Sequence, residues 1–193
     1  MMIYKKLNVG SKMAHLITRL NISTFLFSIA CFINAQVYLA DSCRVSFFSD
    51  GILEDIEAIS VMPESSTYAA YNSTNGKFSF KIPIKSFHFE NSLMQEHFNE
   101  NYMESDKFPF ALFKGLIENK EGSSFAKGDF TVHGVTKDRD IKGSIKNTEK
   151  GLILESEFWV KTAEHKIKIP KLVIKNLAEE IKVNVYCEFK LKE

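Results

Sequence analysis

The residue type and spacing most suggestive of chemistry in this 193-residue chain surround one histidine, His133, in the stretch GDFTVHGVTKDRDIKG at 128–143. A histidine can serve as general base, metal ligand or turn residue, and its neighbours decide which. A general base needs an orienting partner within hydrogen-bond reach. Asp129, four residues back on the same strand face, would sit roughly 13 Å away at strand rise, too far to orient the imidazole. The sequence has no HxH, HExxH or CxxC spacing, no Gly-rich phosphate loop after a strand and no GxSxG. Zinc-site, P-loop and α/β-hydrolase chemistry therefore find no motif to rest on. His133 next to Gly134 reads as a turn-shaping pair.

A second set, His88 and His97 with Glu90, Glu96 and Glu100, could assemble a metal site, but acidic residues at this spacing more simply make the wet face of a short helix. In the following MESDKFP, Ser105 separates Glu104 from Asp106, so no adjacent carboxylate pair forms. The expectation is a chain with no catalytic residue and no metal, hence no enzyme. The rival enzyme reading rests on His133 alone.

The elements that must position these residues are strands. Period-2 alternation dominates after residue 36, with one dry and one wet face per strand. Candidates fall near 36–48, 54–61, 65–72, 76–84, 109–117, 124–133, 139–148, 151–161 and 181–191, separated by turn-formers such as STNG and NTEKG. A helix is expected in NSLMQEHF, with Asn91 or Ser92 as N-cap and Pro109 ending the excursion, and a second in PKLVIKNLAEE after Pro170. The fold class is all-β, a sandwich or a barrel. A closed barrel prefers an even strand number, so one of the early pair at 54–61 and 65–72 is expected to be short or continuous with a neighbour.

The chain has 17 phenylalanines against one tryptophan. Any one of them reads as ordinary core, but many fall on the inward parity. A barrel of about eight strands is either filled by side chains or holds one ligand. The expected lining is Phe78, Phe80, Ile82, Phe110, Phe130, Val132, Leu154, Phe158, Val183 and Val185, which would select a long hydrocarbon-like molecule.

Residues 1–35 read as a signal peptide, with Lys5, Lys6, Lys12 and Arg19 leading the apolar run ISTFLFSIACFINA and Ala35 preceding the cut. An uncleaved anchor and a lipoprotein cut before Cys31 are the weaker alternatives. Residues 36–193 form one domain. Losing those four cations takes Lys+Arg from 25 to 21 against 24 acidic residues, near −3, and no clustered basic face marks a nucleic-acid partner. Cys43 and Cys187 remain, in the first and last strand candidates. A disulfide is possible if those strands are neighbours, where loop closure contributes up to ~5 kcal/mol; two buried thiols are the alternative.

The residues at 128–143, with their Thr-x-His-Gly-Val-Thr-Lys turn, resemble the strongest motif of the YceI-like family. NSLMQEHFNENYMESDKFPFALFKG at 91–115 and HKIKIPKLVIKNLAEEIKVNV at 165–185 are similar to its helix and strand entry and to the closing segment of its shorter members. The resemblance implies a closed antiparallel lipocalin-like barrel of about eight strands with one or two short helices. It also implies export to the periplasm or secretion, and, as in some members, an isoprenoid chain inside the barrel. It carries no catalytic residue onto His133. The lysine-rich KTAEHKIKIPK replaces the Arg-x-x-Phe-Gly segment of longer members. The expected function is an exported, non-catalytic binder of an isoprenoid or similar apolar lipid, a quinone included, with no other cofactor and no membrane span after cleavage. The rival is a ligand-free interaction module of the cell envelope or stress response.

Overall fold

The computed structural model describes residues 36–49, 56–63, 69–120, 123–168 and 179–192. The expected signal peptide and the expected helix after Pro170 lie outside them. Nine strands follow one another: β1 (Val37–Ser49), β2 (Ile56–Pro63), β3 (Ala69–Asn72), β4 (Lys77–Pro83), β5 (Phe110–Lys120), β6 (Ser123–Val132), β7 (Val135–Thr148), β8 (Gly151–Lys161) and β9 (Glu180–Leu191). Strands β3 to β9 pair antiparallel in sequence order, β1 pairs with β3, and β9 returns to β1. Eight strands thus close a barrel, each paired with a neighbour on both sides.

Strand β2 is the extra one. It lies along the second half of β1, from Ser42↔Pro63 to Ser49↔Ile56, and meets the chain beyond β4 at the bridge Ile59↔His88. The short early strand is β3, which starts at Ala69; residues 65–68 of its expected span fall outside the described residues.

Alternation explains the wall. Along β9, Cys187 and Phe189 are buried while Glu188 and Lys190 are exposed, and β4 buries Phe78 and Ile82 while exposing Lys77 and Ser79. Closure is covalent as well as hydrogen-bonded. Cys43 and Cys187 face each other in the β1–β9 register with Cα atoms 4.2 Å apart, and they form a disulfide.

One α-helix is present among the described residues, α1 (Ser92–His97), capped by the Asn91 side chain accepting from the Leu93 and Met94 N–H groups. It runs into a π-helical turn at Phe98–Tyr102. This unit lies across one end of the barrel and buries Phe98 and Tyr102. Phe47, Phe87, Phe89 and Phe98 pack there with ring centroids 4.9–5.9 Å apart. At the other end Phe78 packs against Phe113 and Phe189 at 5.9 and 6.5 Å.

Strand β7 starts at Val135, four residues before its expected start at 139. His133 and Gly134, at φ 50° and 69°, form a two-residue hairpin. Positive φ at both positions is the type I′ signature, which continues strand directly into strand. Phe108 packs against the bare face of Gly134, where a Cβ would collide with the ring.

Candidate functional site

Between the two aromatic ends the barrel is hollow. A cavity of about 210 Å³ is lined almost wholly by hydrocarbon. Nine of the ten residues expected from the sequence face it: Phe78, Phe80 and Ile82 from β4, Phe130 and Val132 from β6, Leu154 and Phe158 from β8, Val183 and Val185 from β9.

Phe110 does not. In the β4–β5 register Ala111 sits opposite Ile82 and Phe113 opposite Phe80, so the inward face of β5 is Ala111, Phe113 and Ile117. Phe110, opposite Pro83, points outward, and Lys81 Nζ lies 3.7 Å from its ring centroid. The small inward Ala111 disguised the parity of this strand.

The sequence reading also missed the roof. Met94, Phe98, Tyr102 and Met103 close the cavity from the helical unit, and Phe87 and Phe89 join them from the chain leading into it. Met94 and Phe98 share a helix face at four-residue spacing, a signal that was available, whereas Leu93 at the same helical turn is 57% exposed. The barrel wall adds Ile141 and Ile145 from β7 and Val45 and Phe47 from β1.

His133 lies beside this roof, outside the cavity. Its Nε2 is 2.8 Å from Glu104 Oε2 and its Nδ1 is 3.1 Å from the His165 carbonyl oxygen. Both ring nitrogens are thus engaged by acceptors, and the side chain is only 9% exposed. Phe108 stands edge-on to it with centroids 4.6 Å apart. The imidazole ties turns together and offers no free nitrogen to a substrate or a metal. Glu104 is its real partner, not Asp129, and the 29-residue separation hid it from local spacing.

His165 is wholly buried, with Nδ1 3.1 Å from the Val135 carbonyl oxygen and its ring edge-on to Phe130. Burial pushes its pKa below the ordinary value, against the opposing pull of the Val135 and Val132 carbonyls. Among the described residues, no three His, Cys, Asp or Glu side chains converge in a way that could hold a metal ion. His88 bonds through its backbone to Ile59.

A family model described as a YceI-like domain matches residues 54–189. No curated protein matches the sequence. Among solved structures, the chain is similar to a polyisoprenoid binding domain from Saccharophagus degradans, implicated in plant cell wall breakdown, at 10% identity and TM-score 0.66, covering 82% of this chain and all of that one. BcnA from Burkholderia cenocepacia matches at 12% identity and TM-score 0.64, over 75% of this chain and 94% of that one. The YCEI protein of Campylobacter jejuni matches at 19% identity and TM-score 0.54, over 65% and 79% of the two chains. At these identities the likeness is one of fold.

Proposed function

The chain belongs to the YceI-like domain family, and from that premise we propose that it is an exported, non-catalytic binding protein that holds an isoprenoid or similar apolar lipid inside its barrel. The observation that carries this reading is the cavity itself, a hydrocarbon-lined hollow of about 210 Å³ in a closed barrel. A dry apolar cavity of roughly 150 Å³ is enough to take up benzene. By the same proportion this one holds about eight carbons, between one and two isoprene units. At ~0.8 kcal/mol per buried carbon, that is about 6 kcal/mol of transfer free energy before association costs.

A longer chain has to continue past the cavity or displace roof side chains such as Met94 and Phe98. Methionine and phenylalanine on a short capping helix suit that exchange, because Met adapts its shape without losing apolar contact. The fold likeness to a polyisoprenoid binding domain supports the ligand class. The Cys43–Cys187 disulfide supports export, since such bonds persist in oxidising compartments. A prenylated quinone satisfies the same chemistry as a plain isoprenoid.

Organic extraction of the purified full-length protein, followed by mass spectrometry, tests the reading. The expected result is a near-stoichiometric prenyl lipid in the wild type and its loss in Ala126→Leu, which grows into the cavity. A wild-type protein that carries no apolar molecule, and takes none up on incubation with prenyl lipids, overturns it and favours the ligand-free interaction module.

A further inference from the structure

The outer face of the barrel is unevenly charged. Strands β6 to β9 all carry carboxylates, and lysines match several of them: Asp140 with Lys127, Glu155 with Lys146, Glu157 with Lys182 and Glu180 with Lys161. Strands β3 and β4 carry none, and β5 carries none before Glu118, which pairs with Lys120 and Lys127. On this acid-free stretch stand Lys77 and Lys81 of β4 and Lys114 of β5. Among the described residues none of the three forms an ion pair. Lys81 rests instead on the ring of Phe110. Residues 36–193 are net acidic, so this face is a local reversal of charge.

The β4–β5 register gathers the three lysines around leucines. Lys77 stands opposite Leu116, Lys81 opposite Leu112, and Lys114 opposite Ser79, midway between the other two. Lysine and leucine thus alternate both along β5 and across the strand pair. Lys77 and Lys81 are roughly 13 Å apart at strand rise. Leu116 is 45% exposed, and Leu112 is half-buried. Toward β1 the Ser79 row continues through Ala70 to Leu39 with no carboxylate. Toward β6 the first acid is Asp129, opposite Lys114 but not ion-paired with it, while Thr131 and Lys127 stand opposite the two leucines. Lysine stems can lie along such apolar neighbours while their ammonium heads reach outward.

We propose that the outer face of β4 and β5 is a docking surface for an anionic lipid bilayer. Lys77, Lys81 and Lys114 donate to lipid phosphates, and Leu112 and Leu116 meet the boundary between headgroups and acyl chains. Basic side chains interleaved with exposed apolar ones suit that boundary, where charge attraction and shallow apolar burial add. The roof is the wrong end for such a surface, since Glu90, Glu96, Glu100, Glu104 and Asp106 are all exposed there. The barrel therefore lies side-on, and the wall that meets the bilayer is the one whose inner side bears Phe78, Phe80 and Ile82. This docking does not depend on the cavity being filled.

Amine acetylation of the full-length protein, read lysine by lysine by mass spectrometry, tests the face directly. Residues 1–35 carry cations of their own, so vesicle binding alone would not identify which surface touches. On phosphatidylglycerol vesicles at low salt, Lys77, Lys81 and Lys114 are expected to react severalfold more slowly, and Lys161, across the ring on β8, at its free rate. Phosphatidylcholine vesicles should protect none of them, and rising salt should erase the effect. Lys77→Gln with Lys114→Gln is expected to weaken the protection of Lys81, about fivefold in affinity for each charge removed. Unchanged reactivity of the three lysines on anionic vesicles, or protection shared equally by Lys161, overturns the proposal. Protection by polyglutamate but not by vesicles also overturns it and assigns the face to an acidic protein. The full pattern in a protein that carries no apolar molecule would support the docking face and count against the cavity reading alone.

Discussion

Glu104 Oε2 and His133 Nε2 meet at 2.8 Å, and both residues hold left-handed backbone, at φ 43° and 50°. The third non-glycine residue with positive φ among the described residues, Lys166 at 56°, follows the carbonyl that His133 Nδ1 engages. One imidazole therefore joins the turn after the roof, the β6–β7 hairpin and the turn after β8. Left-handed backbone is unfavourable for side chains with a Cβ, so each turn is held in place by the bonds to the others.

The histidine's role separates cleanly by substitution. His133→Asn keeps a residue suited to a type I′ turn and loses the links to Glu104 and His165, so it is expected to cost about 1 kcal/mol. His133→Ala loses the links and the turn preference and is expected to cost about 2 kcal/mol. Denaturant unfolding reads both, and neither variant is expected to lose bound lipid. An Ala variant with unchanged stability and lost binding would place His133 in the ligand site instead.

His165 predicts a pH dependence. Its pKa is lowered in the folded protein, chiefly by burial. The unfolded chain takes up a proton near pH 6.5 while the folded one still resists. Between that value and the lower folded pKa the unfolded state binds more protons, so stability falls as the pH falls. Above about pH 6.5 the contribution is flat. Unfolding midpoints measured from pH 8 to pH 5 should show this loss, and His165→Gln, which keeps a donor for the Val135 carbonyl but does not titrate, should flatten it.

The Cys43–Cys187 bond closes a sequence separation of 144 residues across the barrel seam. In the chain-entropy model such a loop contributes about 5 kcal/mol. Cys43→Ala with Cys187→Ala is expected to lower the denaturant midpoint by a large fraction of the total stability, and wild-type protein with a reductant should fall to match it. No free thiol from these two positions should titrate in denatured, unreduced protein.

Inward and outward aromatics should part company in binding. Phe110→Ala removes a ring that lies under Lys81 on the outer face, so lipid affinity is expected to hold. Phe130→Ala and Phe158→Ala remove rings that meet at 5.8 Å on the cavity wall, and each is expected to cost about 3 kcal/mol in stability as well as altering lipid affinity. Titration with one prenyl probe across the three variants checks the order.

Strand positions were legible wherever one face is dry and the other wet, as in β4 and β9. They blurred where that contrast fails. The first half of β7 reads TKDRD because its ladder with β8 stops at Gly143↔Ser156, and before that point Lys137 is exposed and Arg139 reaches the Trp159 carbonyl instead of packing inside. Phe110 misled because bulk at 108, 110 and 113 does not alternate, while the true inward residue, Ala111, is small. The roof was partly visible in the Met94–Phe98 spacing, but nothing local says which surface a six-residue helix covers. The Glu104–His133 pair and the Arg139 contacts depend on strand order, which no local pattern contains.

The central claim is that the interior is hollow and takes an apolar chain. A crystal structure of delipidated protein soaked with farnesol tests it most directly. The account predicts continuous density inside the barrel, against Phe130, Phe158 and Val183 and beneath Met94 and Phe98. Side chains meeting across a filled interior, with no chain between them, would contradict it.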